Sequence, residues 1–223
     1  MKAMILAAGR GERLRPLTDS TPKPLIKAGG LELIVWHINK LKAAGISDIV
    51  VNSAYLSDKI VSFLQDGHAF GVNIQHSVEE EGGLETAGGI VRALPYLGDE
   101  PFFVINGDIF LDIDYKALIE AYVEPNLNGL LYLTKNPEHN LKGDFALSGD
   151  RICYGSDYTF TGAAIYTKKA FDGVPDGRLK LRVLFDRWIE SQTLKGSVLE
   201  CPWFDVGTVQ RLEILDSYLK EKL

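Results

Sequence analysis

The feature that most constrains the fold of this chain is a short apolar run that ends in glycines. Ala3–Ala8 contains only apolar residues, and Gly9 and Gly11 follow it. An apolar run of this length beside glycine is typical of a buried strand. Glycines directly after such a strand allow a turn whose backbone N–H groups face a polyanion. We therefore predict a phosphate-binding turn at the end of a first strand.

The charge distribution favours a compact anionic ligand. The chain has a formal net charge of −6, yet residues 1–27 contain six basic and two acidic residues and so carry +4. The basic residues are Lys2, Arg10, Arg13, Arg15, Lys23 and Lys27. A local cationic site in an anionic protein suits a small anion better than a long nucleic acid, so we expect no nucleic-acid partner. The alternative for these charges is a solvated basic surface.

The composition predicts one soluble globular domain. Hydrophobic residues make up 46% of the 223 residues and charged residues 24%, which are ordinary values for such a domain. Cys153 and Cys201 are expected to be reduced thiols, because nothing in the sequence predicts a secretory signal. No apolar run approaches the roughly 18 residues of a membrane span. We expect a cytoplasmic monomer with no membrane partner.

Strand-like and helix-like runs alternate through the first 140 or so residues. The predicted strands are Ala3–Ala8, Asp48–Asn52, Val72–His76, Pro101–Asn106 and Gly129–Thr134. The predicted helices between them are Leu33–Ala44, Asp58–Gln65, Ile90–Leu94 and Asp114–Tyr122, the third ending before Pro95. This alternation indicates a mostly parallel sheet with helices on both faces.

The pattern changes after about residue 140. Short strands are predicted at Asp144–Leu147, Arg151–Tyr154 and Thr161–Tyr166, and helices at Leu179–Ser191 and Thr208–Lys222. The fold class we predict is α/β, with a Rossmann-like, mostly parallel (mixed) sheet flanked by helices. Residues 1–223 would form one domain, with a nucleotide-binding part at about 1–140 and a small β-rich part and closing helix at about 141–223.

Two basic residues after the first strand are suited to phosphate. Arg13 can contact a phosphate with two parallel hydrogen bonds and stabilise charge on a leaving pyrophosphate. Lys23 stands between Pro22 and Pro24 and is a rigidly placed point charge. The Gly-x-Gly-x-x-Gly pattern of dinucleotide-binding folds is incomplete here, because Leu14 occupies the position of its third glycine. By itself this stretch indicates a polyanion site.

Two aspartates near strand ends are candidate metal ligands. Asp108 follows the apolar run Phe102–Ile105, and Asp205 lies just before Gly207. Open α/β sheets bind ligands at the carboxyl ends of their strands. Carboxylates beside a phosphate site are candidate Mg²⁺ ligands, and these two could share one ion. The alternatives are that Asp108 occupies a turn and that Asp205 or Thr208 caps the last helix.

The run Leu84–Ile90 is a candidate loop for a base or ribose. Its small residues permit a flat ring to approach the backbone closely. The alternative is a plain helix start with Thr86 as its N-cap. The acidic run Glu79–Glu81 reads as a solvated loop, although Glu79 could face a nucleotide.

Taken together, these motifs resemble one family, the sugar-1-phosphate nucleotidyltransferases. The family signature is matched by Leu6–Thr18 and Thr21–Leu25. Later motifs are matched, in order, by Glu85–Gly89, Asn106–Asp108 and Asp205–Thr208. The resemblance covers essentially the whole chain and implies the family's fold and chemistry.

The resemblance also implies roles for individual residues. It makes Arg13 and Lys23 catalytic, acting on the pyrophosphate side and on the α-phosphate. The implied nucleotide-binding residues are Ala8, Gly9, Gly11, Glu12, Arg13, Lys23, Glu79, Thr86 and Gly88. The implied substrate-binding residues, on a sugar-side strand and loop, are Asn106, Asp144 and Gly162. The implied ligands of a Mg²⁺ cofactor are Asp108 and Asp205.

Within this family the chain is most similar to the compact bacterial N-acetylmuramate α-1-phosphate uridylyltransferases. That similarity implies ordered transfer of UMP from UTP to N-acetylmuramic acid α-1-phosphate, giving a UDP-sugar and pyrophosphate in peptidoglycan recycling. The partners would be UTP or another NTP and a sugar 1-phosphate. One alternative is a guanylyl- or thymidylyltransferase for mannose- or glucose-1-phosphate. Another is a sensor that binds nucleotide sugars without catalysis.

Overall fold

A computed structural model describes residues 1–80, 82–121, 124 and 126–222. The first six strands are β1 (Ala3–Leu6), β2 (Lys27–Ala28), β3 (Leu31–Glu32), β4 (Asp48–Ser53), β5 (Asn73–Val78) and β6 (Phe102–Asn106). The next six are β7 (Ile109–Leu111), β8 (Gly129–Lys135), β9 (Phe145–Ser148), β10 (Arg151–Tyr166), β11 (Leu194–Val198) and β12 (Trp203–Asp205).

Seven α-helices lie among the described residues. They are α1 (Leu17–Ser20), α2 (Leu33–Ala43), α3 (Ser57–Leu64), α4 (Glu85–Leu97), α5 (Tyr115–Ile119), α6 (Leu181–Glu190) and α7 (Val209–Lys220). Short 3₁₀ turns are Glu12–Leu14, Lys23–Leu25, His68–Phe70, Glu138–Asn140 and Lys168–Phe171. None of the described helices combines the length and the hydropathy that a bilayer crossing needs.

The sheet is mixed and mostly parallel in its first half, as the sequence predicts. Its strand order is β11-β8-β10-β6-β1-β4-β5, with β9 paired to β10. Pairs β6–β1, β1–β4 and β4–β5 are parallel, whereas β10 is antiparallel to β6, β8 and β9. Later strands are added on opposite sides of β1, so the direction of winding reverses there. In such sheets ligands bind beyond the carboxyl ends of the strands at that reversal.

Most predicted elements are confirmed, and two differ from the prediction. The two short strands predicted at Arg151–Tyr154 and Thr161–Tyr166 form one long strand, β10, whose register shifts at a bulge between Phe160 and Ala164. The predicted stop before Pro95 is wrong, because α4 runs through this proline to Leu97. The fifth predicted helix is observed at Tyr115–Ile119, and its predicted end at Tyr122 lies outside the described residues.

Apolar side chains pack on both faces of the sheet. One cluster includes Ile34, Ile38 and Leu41 of α2 against strand residues such as Ile5, and the other includes Ile90 of α4. The apolar residues that recur about every 3.6 positions, and that predict these helices, are the ones that pack on the sheet. The central strands are covered on both faces of the sheet. Their sequences are therefore continuous apolar runs.

A third, smaller cluster lies beneath the loop that follows β1. Leu14, with no exposed surface, packs there with Phe110 beside β12, and with Leu212 and Leu215 of α7. This cluster joins the basic loop, strand β7, the end of β12 and helix α7. It therefore fixes the positions of the charged residues that precede or follow each buried side chain.

The buried imidazole of His37 makes the stability of the fold depend on pH. Its Nδ1 lies 2.9 Å from the hydroxyl of Tyr115, and burial lowers the pKa of His37 from 6.5 to about 4. Because the unfolded chain binds a proton that the folded chain excludes, His37 favours folding fully above pH 6.5, and this contribution is lost as the pH falls toward 4.

We expect the free energy of unfolding to fall by about 2 kcal/mol between pH 7.5 and pH 5 because of His37 alone. Urea unfolding of the wild type and of His37→Gln at both pH values measures this contribution. Glutamine keeps a hydrogen-bonding group but does not titrate, so its own decrease should be smaller by that amount. Equal decreases in the two proteins would contradict the assignment.

Candidate active site

The ends of three neighbouring strands meet at one level. Leu6, the last residue of β1, is in register with Asn52 of β4 and with Asn106 of β6. The backbone N–H of Gly107 donates to the carbonyl of Leu6 at 2.8 Å. The two asparagines therefore flank the point at which the chain leaves β1.

Asn52 and Glu79 form a buried network that supports the cleft from behind. Oδ1 of Asn52 accepts from Ala7 N at 2.9 Å, and its Nδ2 donates to Glu79 Oε1 at 2.7 Å. Oε2 of Glu79 accepts from Leu84 N at 2.7 Å. Gly89 makes room, since a Cβ there would lie 2.6 Å from Glu79 Oε1. Glu79 thus ties two loops together with both carboxylate oxygens.

The two glycines after β1 have different surroundings. Gly11 has φ +64°, and a Cβ there would lie 2.8 Å from Thr18 Cγ2 and 3.2 Å from Lys23 Cβ. Gly9 has an ordinary φ, and no described protein atom lies within 4 Å of a Cβ placed on it. The fold therefore requires glycine at position 11, whereas position 9 borders open space where a ligand can approach the backbone.

Lys23 and Asp108 form an ion pair at the bottom of the cleft. Lys23 Nζ lies 2.6 Å from Asp108 Oδ2, and the side chains are 9% and 37% exposed. Lys23 begins a 3₁₀ turn and lies between Pro22 and Pro24, so its backbone is held in place. The carboxylate keeps a second oxygen and enough exposure to meet a ligand.

Asp205 lies in a cluster of basic side chains. Its Oδ2 accepts from Arg211 Nη1 at 2.9 Å and lies 3.6 Å from His139 Nε2. Burial and then the charge of Arg211 lower the pKa of His139, although Asp205 opposes this shift. Next to this cluster, Nη2 of Arg13 lies 3.0 Å from where a Cβ on Gly207 would be. Arg13 and Arg211 therefore converge on Gly207.

The two aspartates belong to adjacent strand ends. Asp205 is in register with Ile109, and Val206 N donates to the carbonyl of Asp108 at 2.9 Å. Among the described residues, no three His, Cys, Asp or Glu side chains converge as a ready-made metal site. Mg²⁺ typically takes one or two carboxylates and completes its shell with substrate phosphates and water. Asp108 and Asp205, as partly exposed oxygen donors, fit that mode.

The residues expected on the sugar side lie beside β10. Gly162 has φ +87°, and a Cβ there would lie 2.6 Å from Asn106 Nδ2, so its lack of a side chain admits the asparagine. Oδ2 of Asp144 accepts from Phe160 N at 2.8 Å. Its Oδ1 lies 3.4 Å from Nδ2 of Asn140. Asp144 is therefore oriented by the protein.

The start of α4 forms the opposite wall. Ala87 N and Gly88 N both donate to the carbonyl of Leu179, at 3.0 and 3.2 Å. A Cβ on Gly88 would lie 2.1 Å from the carbonyl oxygen of Gly177. Gly88 thus packs against a distant segment and is not among the residues that line the cleft, whereas Thr86 is.

An ion pair closes this wall at the mouth of the cleft. Nη2 of Arg178 lies 3.0 Å from Oε1 of Glu85, and both residues line the cleft. Glu85 has φ +59°, a left-handed conformation that is costly for a residue with a side chain. The resulting strain lies where the chain bends around the cleft, as is common at functional sites.

The cleft consists of two adjoining depressions. A cavity of about 320 Å³ is lined by Ala8, Asn52, Gly83, Thr86, Asn106 and other residues of the strand ends. A second one of about 550 Å³ is lined by Gly9, Arg10, Gly11, Glu12, Arg13, Lys23, Asp108 and Gly207. Gly9, Arg10, Lys23 and Asp108 border both depressions. Uncharged residues make up most of the lining of the first depression, whereas charged residues make up most of the lining of the second.

Several residues of this site carry no signal in the sequence. Asn52 acts through hydrogen bonds to Ala7 and Glu79, and Arg178 and His139 lie far along the chain from the partners they contact. Arg211 is only six residues from Asp205, but its guanidinium reaches that carboxylate across the turn before α7. Arg15, in contrast, pairs with Asp19 at 3.3 Å on the surface, which is one of the roles that its spacing allows.

Comparison with known proteins gives one consistent family. The nucleotidyl transferase family model matches residues 2–143. An N-acetylmuramate alpha-1-phosphate uridylyltransferase of Neisseria meningitidis is 47% identical over 221 residues, covering 96% of each chain. A mannose-1-phosphate guanyltransferase of Aspergillus oryzae is 41% identical over 146 residues, which are 64% of this chain and 40% of that protein.

Solved structures share the fold. A Bacillus anthracis protein assigned as a glucose-1-phosphate thymidylyltransferase has a TM-score of 0.88 at 24% identity, covering 99% of this chain and 96% of that one. An inositol-1-phosphate CTP transferase from T. maritima has a TM-score of 0.79 at 22% identity, covering 100% and 97%. At these identities the likeness concerns the fold.

The contrast between the two loop glycines gives a stability prediction. Gly11→Ala should lower the free energy of unfolding by about 1 to 3 kcal/mol, because it adds left-handed strain and a contact with Thr18. Gly9→Ala should change it by less than about 0.5 kcal/mol, because its Cβ enters open space. Urea unfolding of both variants tests this, and similar losses in the two would refute the assigned geometry.

Proposed function

The chain belongs to the nucleotidyl transferase family, and on that basis we propose that it transfers UMP from UTP to N-acetylmuramic acid α-1-phosphate. Pyrophosphate and the UDP-sugar are the products. The choice of base and sugar is supported by 47% identity to the Neisseria uridylyltransferase along 96% of each chain. The reaction class is supported by the cleft, whose charged end is lined by Arg13, Lys23 and Asp108, with Asp205 on the adjoining strand.

The smaller depression is the proposed nucleoside site. It lies between the strand ends and the start of α4, where Gly82 and Gly83 have positive φ values and leave the backbone bare. Glu79 holds this loop by accepting from Leu84 N, so its contribution is to shape the site. Thr86 and Ala8 line the same space and are proposed to contact the nucleotide.

The larger depression is the proposed triphosphate site. Its wall is formed by the loop from Gly9 to Arg13, whose N–H groups and guanidinium can bind phosphate oxygens. Glu12 begins the 3₁₀ turn that presents Arg13, and buried Leu14 anchors that turn. In this proposal the loop supplies positive charge beside the leaving pyrophosphate.

The reaction itself needs no general base. A phosphate oxygen of the sugar 1-phosphate, already ionised at pH 7, forms a bond to the α-phosphorus as the bond to pyrophosphate breaks. Lys23 neutralises the α-phosphate, and Arg13 stabilises the charge that develops on pyrophosphate. Holding the two anionic reactants in line supplies the remaining rate enhancement.

A divalent ion is part of the proposal. Mg²⁺ held by Asp108 and Asp205 would neutralise the phosphate charges during transfer. The partly exposed carboxylates on adjacent strand ends support this choice of ligands.

The sugar is proposed to lie between β6 and β10. Asn106 projects against Gly162 at that position, and Asp144 is oriented by Phe160 N and Asn140. An amide and a carboxylate held in this way can bond sugar hydroxyl groups. Nucleotide-binding and sugar-binding parts would then form one domain around a shared cleft.

The experiment that tests this function is an activity matrix. Pyrophosphate release is measured for four NTPs, each with N-acetylmuramic acid, N-acetylglucosamine, glucose and mannose 1-phosphates. UTP with N-acetylmuramic acid 1-phosphate should give the highest kcat/KM, by at least about tenfold. A higher value for GTP with mannose 1-phosphate would replace the proposal with a guanylyltransferase. No turnover with any pair would favour a sensor.

Asp108→Asn should abolish activity while the protein still folds. We expect kcat to fall at least about a hundredfold, because the amide removes charge from the metal ligand. The free energy of unfolding should fall by no more than about 1 to 2 kcal/mol, since asparagine still accepts a hydrogen bond from Lys23. Full activity in a folded variant would remove Asp108 from the site.

Gly9→Ala should separate binding from folding. Its Cβ meets no protein atom but would occupy the space proposed for phosphate. We expect KM for UTP to rise about tenfold or more. Gly30→Ala is the control for KM, because Gly30 also borders open space but does not line either depression. Its φ of +85° makes the alanine variant less stable, so the comparison concerns KM and not stability. A wild-type KM in Gly9→Ala would place the phosphates elsewhere.

A further inference from the structure

We propose that Lys23 and Arg211 act as internal substitutes for the divalent cation, so that the metal binds strongly only together with the nucleotide. In this view Arg211 is a positioning residue, because it orients the carboxylate of Asp205. The inference rests on the proposed function in one respect, the assignment of Asp108 and Asp205 as metal ligands.

Each candidate metal ligand is already bound to a cation. Asp108 accepts from Lys23 Nζ through Oδ2 at 2.6 Å, and Asp205 accepts from Arg211 Nη1 through Oδ2 at 2.9 Å. All four side chains are largely buried, with 9% to 37% of their surfaces exposed. Charge-assisted bonds of this kind are among the stronger polar contacts in proteins. The two carboxylates are therefore neutralised before any ligand arrives.

Arg211 is held at this position by the fold. It lies in the first turn of α7, and its backbone N–H donates to Thr208 Oγ1 at 3.3 Å. The next residue, Leu212, is buried in the small core beneath the loop after β1. Gly207 lacks a side chain, and a Cβ there would lie 1.9 Å from Arg211 Nη2. The guanidinium thus fills the space over this glycine, beside Arg13.

A divalent cation alone meets two obstacles at this site. It must share each carboxylate with a cation, Lys23 or Arg211, that is already bonded to its Oδ2, and it adds positive charge next to Arg13. A nucleoside triphosphate removes both obstacles, because its phosphates supply negative charge and alternative acceptors for the displaced cations. Gly207, which Arg211 covers, borders the same depression as Arg13 and Lys23. Metal and nucleotide binding are consequently coupled, each strengthening the other.

The test measures Mn²⁺ binding to the full-length protein without nucleotide, by electron paramagnetic resonance of free Mn²⁺. Arg211→Met removes the competing charge, and we expect Mn²⁺ to bind about fivefold more tightly than to the wild type. Arg211→Gln, a second neutral variant, should show the same change and covers the case in which Arg211→Met does not fold. Arg211→Lys keeps the charge and should stay near the wild-type affinity.

The coupling is measured by repeating the titration with a non-hydrolysable UTP analogue. In the wild type, Mn²⁺ affinity should rise strongly when the analogue is present. In Arg211→Met this rise should be about fivefold smaller, because part of the gain already exists without nucleotide. Lys220→Met is the matched control, since it removes a cation of the same helix that pairs with Asp216 at 2.6 Å, and its coupling should equal that of the wild type.

The outcomes separate this inference from the proposed function. Asp205→Asn should weaken Mn²⁺ binding in every condition, and unchanged binding would remove Asp205 from the metal site. Suppose that Asp205→Asn weakens binding while Arg211→Met and Arg211→Gln bind Mn²⁺ as the wild type does. That result overturns this inference and leaves the proposed function intact. Equal Mn²⁺ affinity of the wild type with and without the UTP analogue also overturns it.

Discussion

The parallel pairing of β1 with β4 on one side and β6 on the other is the constraint on which the rest of the structure depends. It brings the ends of three strands to one level. The glycine turn after β1 therefore lies beside the amide of Asn106 and the carboxylate of Asp108, although the turn is far from both in the sequence. Later strands are added on both sides of β1, and the cleft opens where the direction of winding reverses. Every contact in the candidate site builds on this register.

Charge balance at the cleft depends on a small apolar core beneath it. Leu14, Phe110 and Leu212 are buried together, and each lies next to a segment that carries a charged residue of the site. Apolar burial thus supplies the free energy that holds like charges close to one another. The cations Lys23 and Arg211 meet carboxylates in this arrangement, while Arg13 faces the space proposed for phosphates.

Glycines at this site serve two different purposes. Gly88, Gly89 and Gly162 are needed by the protein itself, because a Cβ at any of them would lie within 3 Å of a neighbouring group. Gly9 is not needed in this way, since its Cβ would enter open space. A glycine-rich motif therefore does not mean that each glycine touches a ligand, and only the packing around it distinguishes the two cases.

By itself, the sequence determined the fold class, the order of most elements and the basic turn after β1, because apolar periodicity and glycine positions are local signals. It also indicated Arg13, Lys23, Asp108 and Asp205 as the charged residues of one site. Tertiary structure decided which cation meets which carboxylate, that Glu79 supports a loop, and that Arg178 and Arg211 belong to the cleft. The ion pairs of Lys23 with Asp108 and of Arg178 with Glu85 join residues distant in the chain, which no local pattern encodes. The bonds from Glu79 to Leu84 N and from Arg211 to Asp205 depend on how the chain turns between the two residues, which the apolar periodicity does not specify either.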